Sequence, residues 1–307
     1  MIRIDHRDPM PAHLRGGVIA LGNFDGFHLG HQAVVGEALN WAKSEGRPAI
    51  IATFDPHPIR FFRPETPPFR LTTLDQRQEL FAAAGADAML VFHFDAAMAA
   101  MPAAGWIEQM LAAHLGAAGV VTGEDYTFGH GRSGNPAVLA EHGAGLGIAA
   151  RTVGAVHDSE GPISSSRIRT ALKAGDCPTA SRLLTRPFAI RGIVQPGDKV
   201  GRTIGFPTAN LPLGNYLRPR YGIYAVRGHL PDGRVLNGAA NLGIRPSFDP
   251  PKELLEPYLF DFAEDLYGQE IEVTLEAFLR PEAKFDDLDA LMAQIELDCD
   301  RAREILA

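Results

Sequence analysis

Ten consecutive residues, Gly22-Asn23-Phe24-Asp25-Gly26-Phe27-His28-Leu29-Gly30-His31, gather the side chains best suited to handling an anion. His28 and His31 are three apart, so on the first turn of a helix they share a face. The glycines among them let backbone come close to a ligand. Two imidazoles with unpaired N–H groups suit a phosphate whose charge grows during reaction. A zinc reading fits less well. The metalloprotease pattern sets two His four apart with a Glu between them. No third ligand stands at metal-site spacing, and the only cysteines are Cys177 and Cys299.

Three further loops in the first half carry chemistry-bearing residues. Asp55-Pro56-His57-Pro58 is followed by Phe61-Phe62, and its prolines would serve equally as a rigid turn. Gly123-Glu124-Asp125-Tyr126-Thr127-Phe128-Gly129-His130-Gly131-Arg132-Ser133-Gly134 offers backbone donors and the Phe128 ring, although surface turns share this composition. Ile163-Ser164-Ser165-Ser166-Arg167-Ile168-Arg169 puts hydroxyls at a helix start and Arg169 one turn in, which together make a phosphate clamp. A bare N-cap would need only one of these serines.

In the second half, the run from Gly197 to Asn210 mixes glycines with Lys199 and Arg202, which can wrap a polyphosphate. It is not a P-loop, because GxxxxGK(S/T) is absent. Thr208 and Asn210 bring hard oxygen donors to one side of an extended segment, the kind Mg²⁺ accepts alongside phosphate and water. An ordinary long loop explains the run as well.

These residues need elements to position them. Val18–Leu21 reads as a buried strand, and Val34, Val35, Ala38, Leu39 and Ala42 mark one face of the helix after it. The histidine stretch therefore sits at a strand-to-helix junction, where N–H groups lack partners and the helix dipole is positive. Gly46 reads as the C-cap, and 49–54 as the next strand. Thr73 and Gln76 form a capping box for a helix running to Ala84. Residues 89–94, 119–122 and 148–153 read as strands, and 106–115 as a helix. Alternating strands and helices imply a parallel, Rossmann-like sheet covered on both faces, with ligands at the carboxyl ends of its strands.

From Phe188 the pattern changes to strands joined by turns: 188–195, 221–230, 234–240, 255–262 and 271–278, with Pro231-Asp232-Gly233 as a hairpin turn. This implies a small antiparallel β-barrel. Residues 288–306 read as a terminal helix, with Leu291, Ile295, Leu297, Ala302 and Ile305 as its apolar side. The boundary between the halves is expected near Thr185-Arg186-Pro187, giving domains 1–185 and 186–307.

Length and composition fit this two-domain plan. The chain has 307 residues, of which 46% are hydrophobic, enough for two cores. A net charge of −8 argues against general binding to nucleic acid or an anionic membrane. Two cysteines give neither a disulfide framework nor a zinc pattern, which fits a reducing compartment. Residues 1–15 have no apolar signal core, and no later run is long enough to span a bilayer. A cytoplasmic protein with small-molecule substrates is expected, in an oligomeric state that the sequence leaves open.

The stretch GxFDGxHxGH resembles the HxGH signature of nucleotidyltransferases and, in its longer form, that of the bacterial bifunctional flavin synthetases. The TFDPHP, GxDxxFGxxRxG and ISSxxIR loops match that family too, as does GRxxGFPTAN, its riboflavin kinase signature. Further matches are 241–248, Asp265-Leu266-Tyr267-Gly268 and Leu279-Arg280-Pro281-Glu282 with Lys284-Phe285, so the resemblance covers nearly the whole chain in order.

The resemblance implies that His28, His31, Ser164, Ser165 and Arg169 handle ATP phosphates, with Gly22, Phe24 and Gly30 in the same pocket. It implies that Asp125, Phe128, Arg132 and Phe62 face FMN. In the second half it implies ATP binding by Gly197, Lys199, Gly201, Arg202, Gly205, Thr208 and Asn210, with Mg²⁺ on Thr208 and Asn210. It also implies that Glu256 is the catalytic base. The activities implied are phosphorylation of riboflavin to FMN by ATP and adenylylation of FMN to FAD by a second ATP, releasing pyrophosphate. Two departures are visible: Ser166 where the family often has Thr, and Pro196 where it often has His. A chain with one activity, or a silent flavin binder, is the alternative.

Overall fold

Residues alternate between two cores along the inner strands of the first half, which is why the apolar runs there are continuous. The structure, a computed structural model, describes residues 1–197, 205–245 and 252–307. Six strands, β1 (Ile2–Asp5), β2 (Val18–Leu21), β3 (Ala49–Asp55), β4 (Ala88–His93), β5 (Gly119–Gly123) and β6 (Ala149–Val153), form a sheet in the order β1-β4-β3-β2-β5-β6. Every pairing in it is parallel. Ile19 and Leu21 point into a core with Phe92, Trp106 and Leu111. Val18 and Ala20 point to the opposite side, against Val35, Ala38, Trp41 and Phe81. Strand direction and pleat thus account for burial on both faces.

The strand order reverses at β2, whose neighbours are β3 and β5. In open α/β sheets this reversal creates the crevice where ligands bind. Helix α1 (Leu29–Glu45) leaves the carboxyl end of β2 and ends at Gly46. Helices α2 (Pro58–Phe62) and α3 (Leu74–Ala84) lie between β3 and β4, and α3 opens on the capping box of Thr73 and Gln76. Helices α4 (Ala96–Ala100) and α5 (Ala103–Trp106) precede β5, and α6 (Pro136–Ala144) precedes β6. A short hairpin follows, made of β7 (His157–Asp158) and β8 (Gly161–Pro162).

The sequence pattern assigns no element to the charged N-terminal stretch, where Ile4 is buried as β1 pairs with β4 at the sheet edge. One local expectation needs correction. The helical pattern over 106–115 is a π-helix from Ile107 to His114, in which Ile107 and Leu111 still reach the core.

In the second half, α7 (Ser165–Ala174) and α8 (Cys177–Leu184) lead into β9 (Phe188–Ile193). Then follow β10 (Leu211–Pro212), β11 (Gly222–His229), β12 (Val235–Arg245), β13 (Lys252–Leu259) and β14 (Glu270–Arg280). They form an antiparallel sheet in the order β10-β13-β12-β11-β14-β9. A bridge between Gln195 and Asn210 joins its two outer strands and closes it into a barrel.

Helix α9 (Leu288–Leu306) packs on this sheet through Ile295, Cys299, Ala302 and Leu306. Leu297 and Ile305, expected on its apolar side, are exposed. Asp298 takes a buried position instead, because the Arg280 guanidinium holds its carboxylate at 2.7–3.1 Å.

By compactness the chain forms two units. One unit is Met1–Thr66 with Thr72–Ser164, and the other is Pro67–Leu71 with Ser165–Ala307. Helix α8 buries Ala180, Leu183 and Leu184 and lies on β9 and β14, so α7 and α8 belong with the barrel.

Candidate active sites

His28 is the N-cap of α1, with an extended backbone (φ −75°, ψ 173°), and the Nδ1 of its ring accepts a long hydrogen bond from the His31 N–H at 3.4 Å. A neutral imidazole whose Nδ1 accepts carries its proton on Nε2, so His28 retains a donor. The His31 ring stacks on the His28 ring with centroids 3.6 Å apart and 21° between planes. The first turn of α1 contains no acidic residue, so nothing there offsets its positive end. Gly30 leaves room for this arrangement: a Cβ there would stand 3.1 Å from the His28 ring and 3.2 Å from the Ile163 carbonyl. Phe24 is buried and meets the His31 ring edge-on at 5.3 Å. Gly22 donates its N–H to the Ala52 carbonyl, which ties the loop to β3.

The residues expected to face FMN fall into two groups. Asp125, Arg132 and Phe62 are exposed. Phe62 meets Phe61 and Phe94 edge-on. Phe128 is buried, with its ring against Trp106 at 5.2 Å and Tyr126 at 5.9 Å. Its backbone exchanges both hydrogen bonds with Gly134, which folds the glycine-rich loop back on itself. Burial pushes the Tyr126 phenol up, so that it stays a neutral group at physiological pH.

Ser164, half-buried, ends the first unit, and Ser165 and Arg169 open the second. Arg169 donates from Nε to the Phe69 carbonyl at 2.9 Å and lies over the Phe69 ring. The Pro67–Leu71 segment, remote in sequence, thus steadies this arginine.

In the barrel, strand register assembles a second centre. Leu211 pairs with Leu255, and two residues earlier the Ala209 N–H donates to the Pro257 carbonyl. Asn210 therefore runs alongside Glu256. On the other side β12 pairs Asn241 with Glu256. Residues paired across antiparallel strands share a face, so two asparagines flank this carboxylate. Arg245, two pairs further along the same face, forms an ion pair with Glu256 Oε2. Asn210 is buried, and Gly197 makes that possible: a Cβ there would lie 2.4 Å from the Asn210 Nδ2. Thr208 is half-buried and Gly205 exposed. Lys199, Gly201 and Arg202 lie outside the described residues.

Sequence reasoning missed two asparagines as functional candidates. The Oδ1 atoms of Asn23 and Asn241 are buried without a hydrogen-bond partner among the described residues. Asn23 stood inside the histidine stretch, but Asn241 gains its place only from register. Among the described residues, no group of three or more His, Cys, Asp or Glu could hold a metal ion. Thr208 and Asn210 would supply neutral oxygens, which suit Mg²⁺ shared with phosphate rather than a closed protein cage.

Family profiles match the chain in both halves: FAD synthetase over residues 10–167 and riboflavin kinase over residues 184–306. The bifunctional riboflavin kinase/FMN adenylyltransferase of Escherichia coli strain K12 is 38% identical, over 94% of this chain and 92% of its own. The enzyme of that name from Bacillus subtilis strain 168 is 37% identical, over 92% of this chain and 90% of its own. A crystal structure described as a macrolide-efflux protein from Streptococcus pneumoniae covers 99% of each chain with a TM-score of 0.88 and 29% identity. Among the described residues, no helix is long and apolar enough to cross a membrane.

Proposed function

Because the chain belongs to the family of bifunctional riboflavin kinase/FMN adenylyltransferases, we propose that it makes FMN from riboflavin and FAD from FMN at two separately built centres. The functional division falls at 185/186, between an adenylyltransferase part and a kinase part.

In the kinase part the riboflavin 5′-hydroxyl attacks the γ-phosphorus of ATP. The new O–P bond forms as the bridging bond to ADP breaks. Glu256 takes the hydroxyl proton. Arg245 pairs with this carboxylate, and strand register places Asn210 and Asn241 on either side of it. Thr208 and Asn210 would hold Mg²⁺, which when bound offsets charge on the phosphates. Gly197, Lys199, Gly201, Arg202 and Gly205 contact ATP in this reading.

In the adenylyltransferase part an FMN phosphate oxygen attacks the α-phosphorus of ATP and pyrophosphate leaves. His28 and His31, with the N–H groups that open α1, stabilise the charge that builds on phosphorus oxygens. Ser164, Ser165 and Arg169 add hydroxyls and a guanidinium for the ATP phosphates. Asp125, Arg132 and, from α2, Phe62 meet FMN, with Phe128 as the buried support within the loop of Asp125 and Arg132. An ATP-using enzyme whose two cysteines are free thiols fits a cytoplasmic setting.

One observation carries the reading: the stacked His28–His31 pair and the Asn210–Glu256–Asn241 row belong to different compact units of one chain. Purified protein incubated with riboflavin, ATP and Mg²⁺ should yield FMN and then FAD on chromatography. FMN alone would reduce the reading to a kinase, and unchanged riboflavin would make the chain a binder.

A further inference from the structure

The loop from Gly22 to His28 must turn the chain from β2 into α1, and it does so in a shape that bulky residues resist. Phe24 and Phe27 both have positive φ, 49° and 47°. Such angles crowd the Cβ of an aromatic residue, so the loop holds them only if its surroundings enforce them.

The enforcement comes from residues outside the loop. The Thr72 hydroxyl accepts the Gly26 N–H at 3.0 Å and donates to Asp25 Oδ1 at 3.3 Å. The Thr72 N–H donates to the same carboxylate oxygen at 3.1 Å. The Arg77 guanidinium donates to the Asn23 carbonyl at 3.2 Å and to the Thr53 hydroxyl at 2.7 Å. The Thr53 hydroxyl donates in turn to the Asn23 carbonyl at 2.8 Å. Asp25, Thr53, Thr72 and Arg77 are all buried, where such bonds lose least to water. Phe81, on the same helix as Arg77, meets the rings of Phe24 and Phe27 edge-on at 6.0 and 5.2 Å. Phe24 then touches the His31 ring.

We infer that Thr72 and Arg77 are positioning residues for adenylyl transfer, bracing the strained loop that sets His28 and His31 in register. The inference rests on the proposed role of those histidines. The brace acts through Asn23, Asp25 and Phe24. Misplacing a reacting group by an ångström can cost about 10²-fold in rate.

Thr72→Val keeps the shape of the side chain and removes the hydroxyl; Thr72→Ser keeps the hydroxyl. Thr72→Val should lower kcat for FAD formation from FMN by about 10- to 100-fold, with KM for ATP and FMN changing less than about threefold. Thr72→Ser should restore most of the rate. Riboflavin phosphorylation by the same preparation should stay at the wild-type rate, and a thermal melt followed by circular dichroism reports on the folding of the first unit, which holds Thr72. Arg77→Met should reproduce the kcat loss, and if it unfolds, the Thr72 pair decides alone. Adding Thr72→Val to His31→Ala should cost less than about threefold more, because the brace works through that ring.

Wild-type kcat in Thr72→Val, equal losses in Val and Ser, or losses that multiply in the double variant would each overturn the brace. A wild-type rate in His31→Ala itself would instead overturn the site reading on which the brace rests.

Discussion

The two centres are built in opposite ways. The first is nearly contiguous: His28, Gly30 and His31 share one loop and the start of one helix. The second is a row across three strands, with Asn210 before β10, Glu256 on β13 and Asn241 on β12. A contiguous centre depends on local backbone shape and on whatever enforces it. A row depends on strand register, because a slip by one residue would turn Glu256 to the opposite face. The two centres should therefore fail independently and for different reasons.

The sharpest way to break this contrast is at Glu256. Glu256→Gln keeps shape but removes basicity, and FMN formation should fall by about 10²–10⁴-fold. FAD formation from added FMN should continue. Near-normal phosphorylation would remove Glu256 from the mechanism. Next in size, His28→Ala or His31→Ala should depress FAD formation by about 10²-fold or more and spare the kinase. A joint loss of both activities in a folded variant would mean that the centres are not separate.

Much of this contrast was already legible in the sequence. The histidine stretch, its strand and its helix could be read in advance because glycines, apolar runs and caps are local signals. Asn210 stands out by its oxygen donor and Glu256 by the family resemblance, but their adjacency is a product of pairing through β13. Asn241 opens one of the matched stretches, yet its place beside Glu256 depends on register in the same way. The brace was invisible because Thr72 and Arg77 are remote in sequence from the loop they hold. Leu297 is exposed while its neighbour Asp298 is buried, held by Arg280 and Gln294. A polar residue on a core face cannot be recognised without its partner.

That ion pair gives a stability test of the second unit. Asp298→Ala leaves a partly buried guanidinium uncompensated and should cost about 3 kcal/mol, toward the low end for a broken buried pair. Kinase activity should then be lost at a lower temperature than in the wild type. Cys299 provides a spectator on the same helix, since burial pushes its thiol up to about 11. It should resist alkylation near pH 8 in the folded wild type and become reactive in Asp298→Ala as α9 loosens. Equal alkylation rates in the two proteins would show that the pair does not hold the helix.

The smallest expected effect concerns the FMN side of the first unit. Asp125→Ala should raise the apparent KM for FMN by about fivefold, the worth of roughly one hydrogen bond, and that for ATP less. An effect confined to ATP would move Asp125 to the other substrate.

The most direct test of two independent centres is a crossed flavin assay on three purified proteins: wild type, His28→Ala and Glu256→Gln. Each is given riboflavin or FMN with ATP and Mg²⁺, and the flavins are separated by chromatography. The wild type should carry riboflavin through FMN to FAD. His28→Ala should stop at FMN from riboflavin. Glu256→Gln should leave riboflavin largely unchanged yet convert added FMN to FAD, and mixing the two variants should restore FAD from riboflavin. Loss of both conversions in either folded variant, or no FAD from the mixture, would contradict two independent centres.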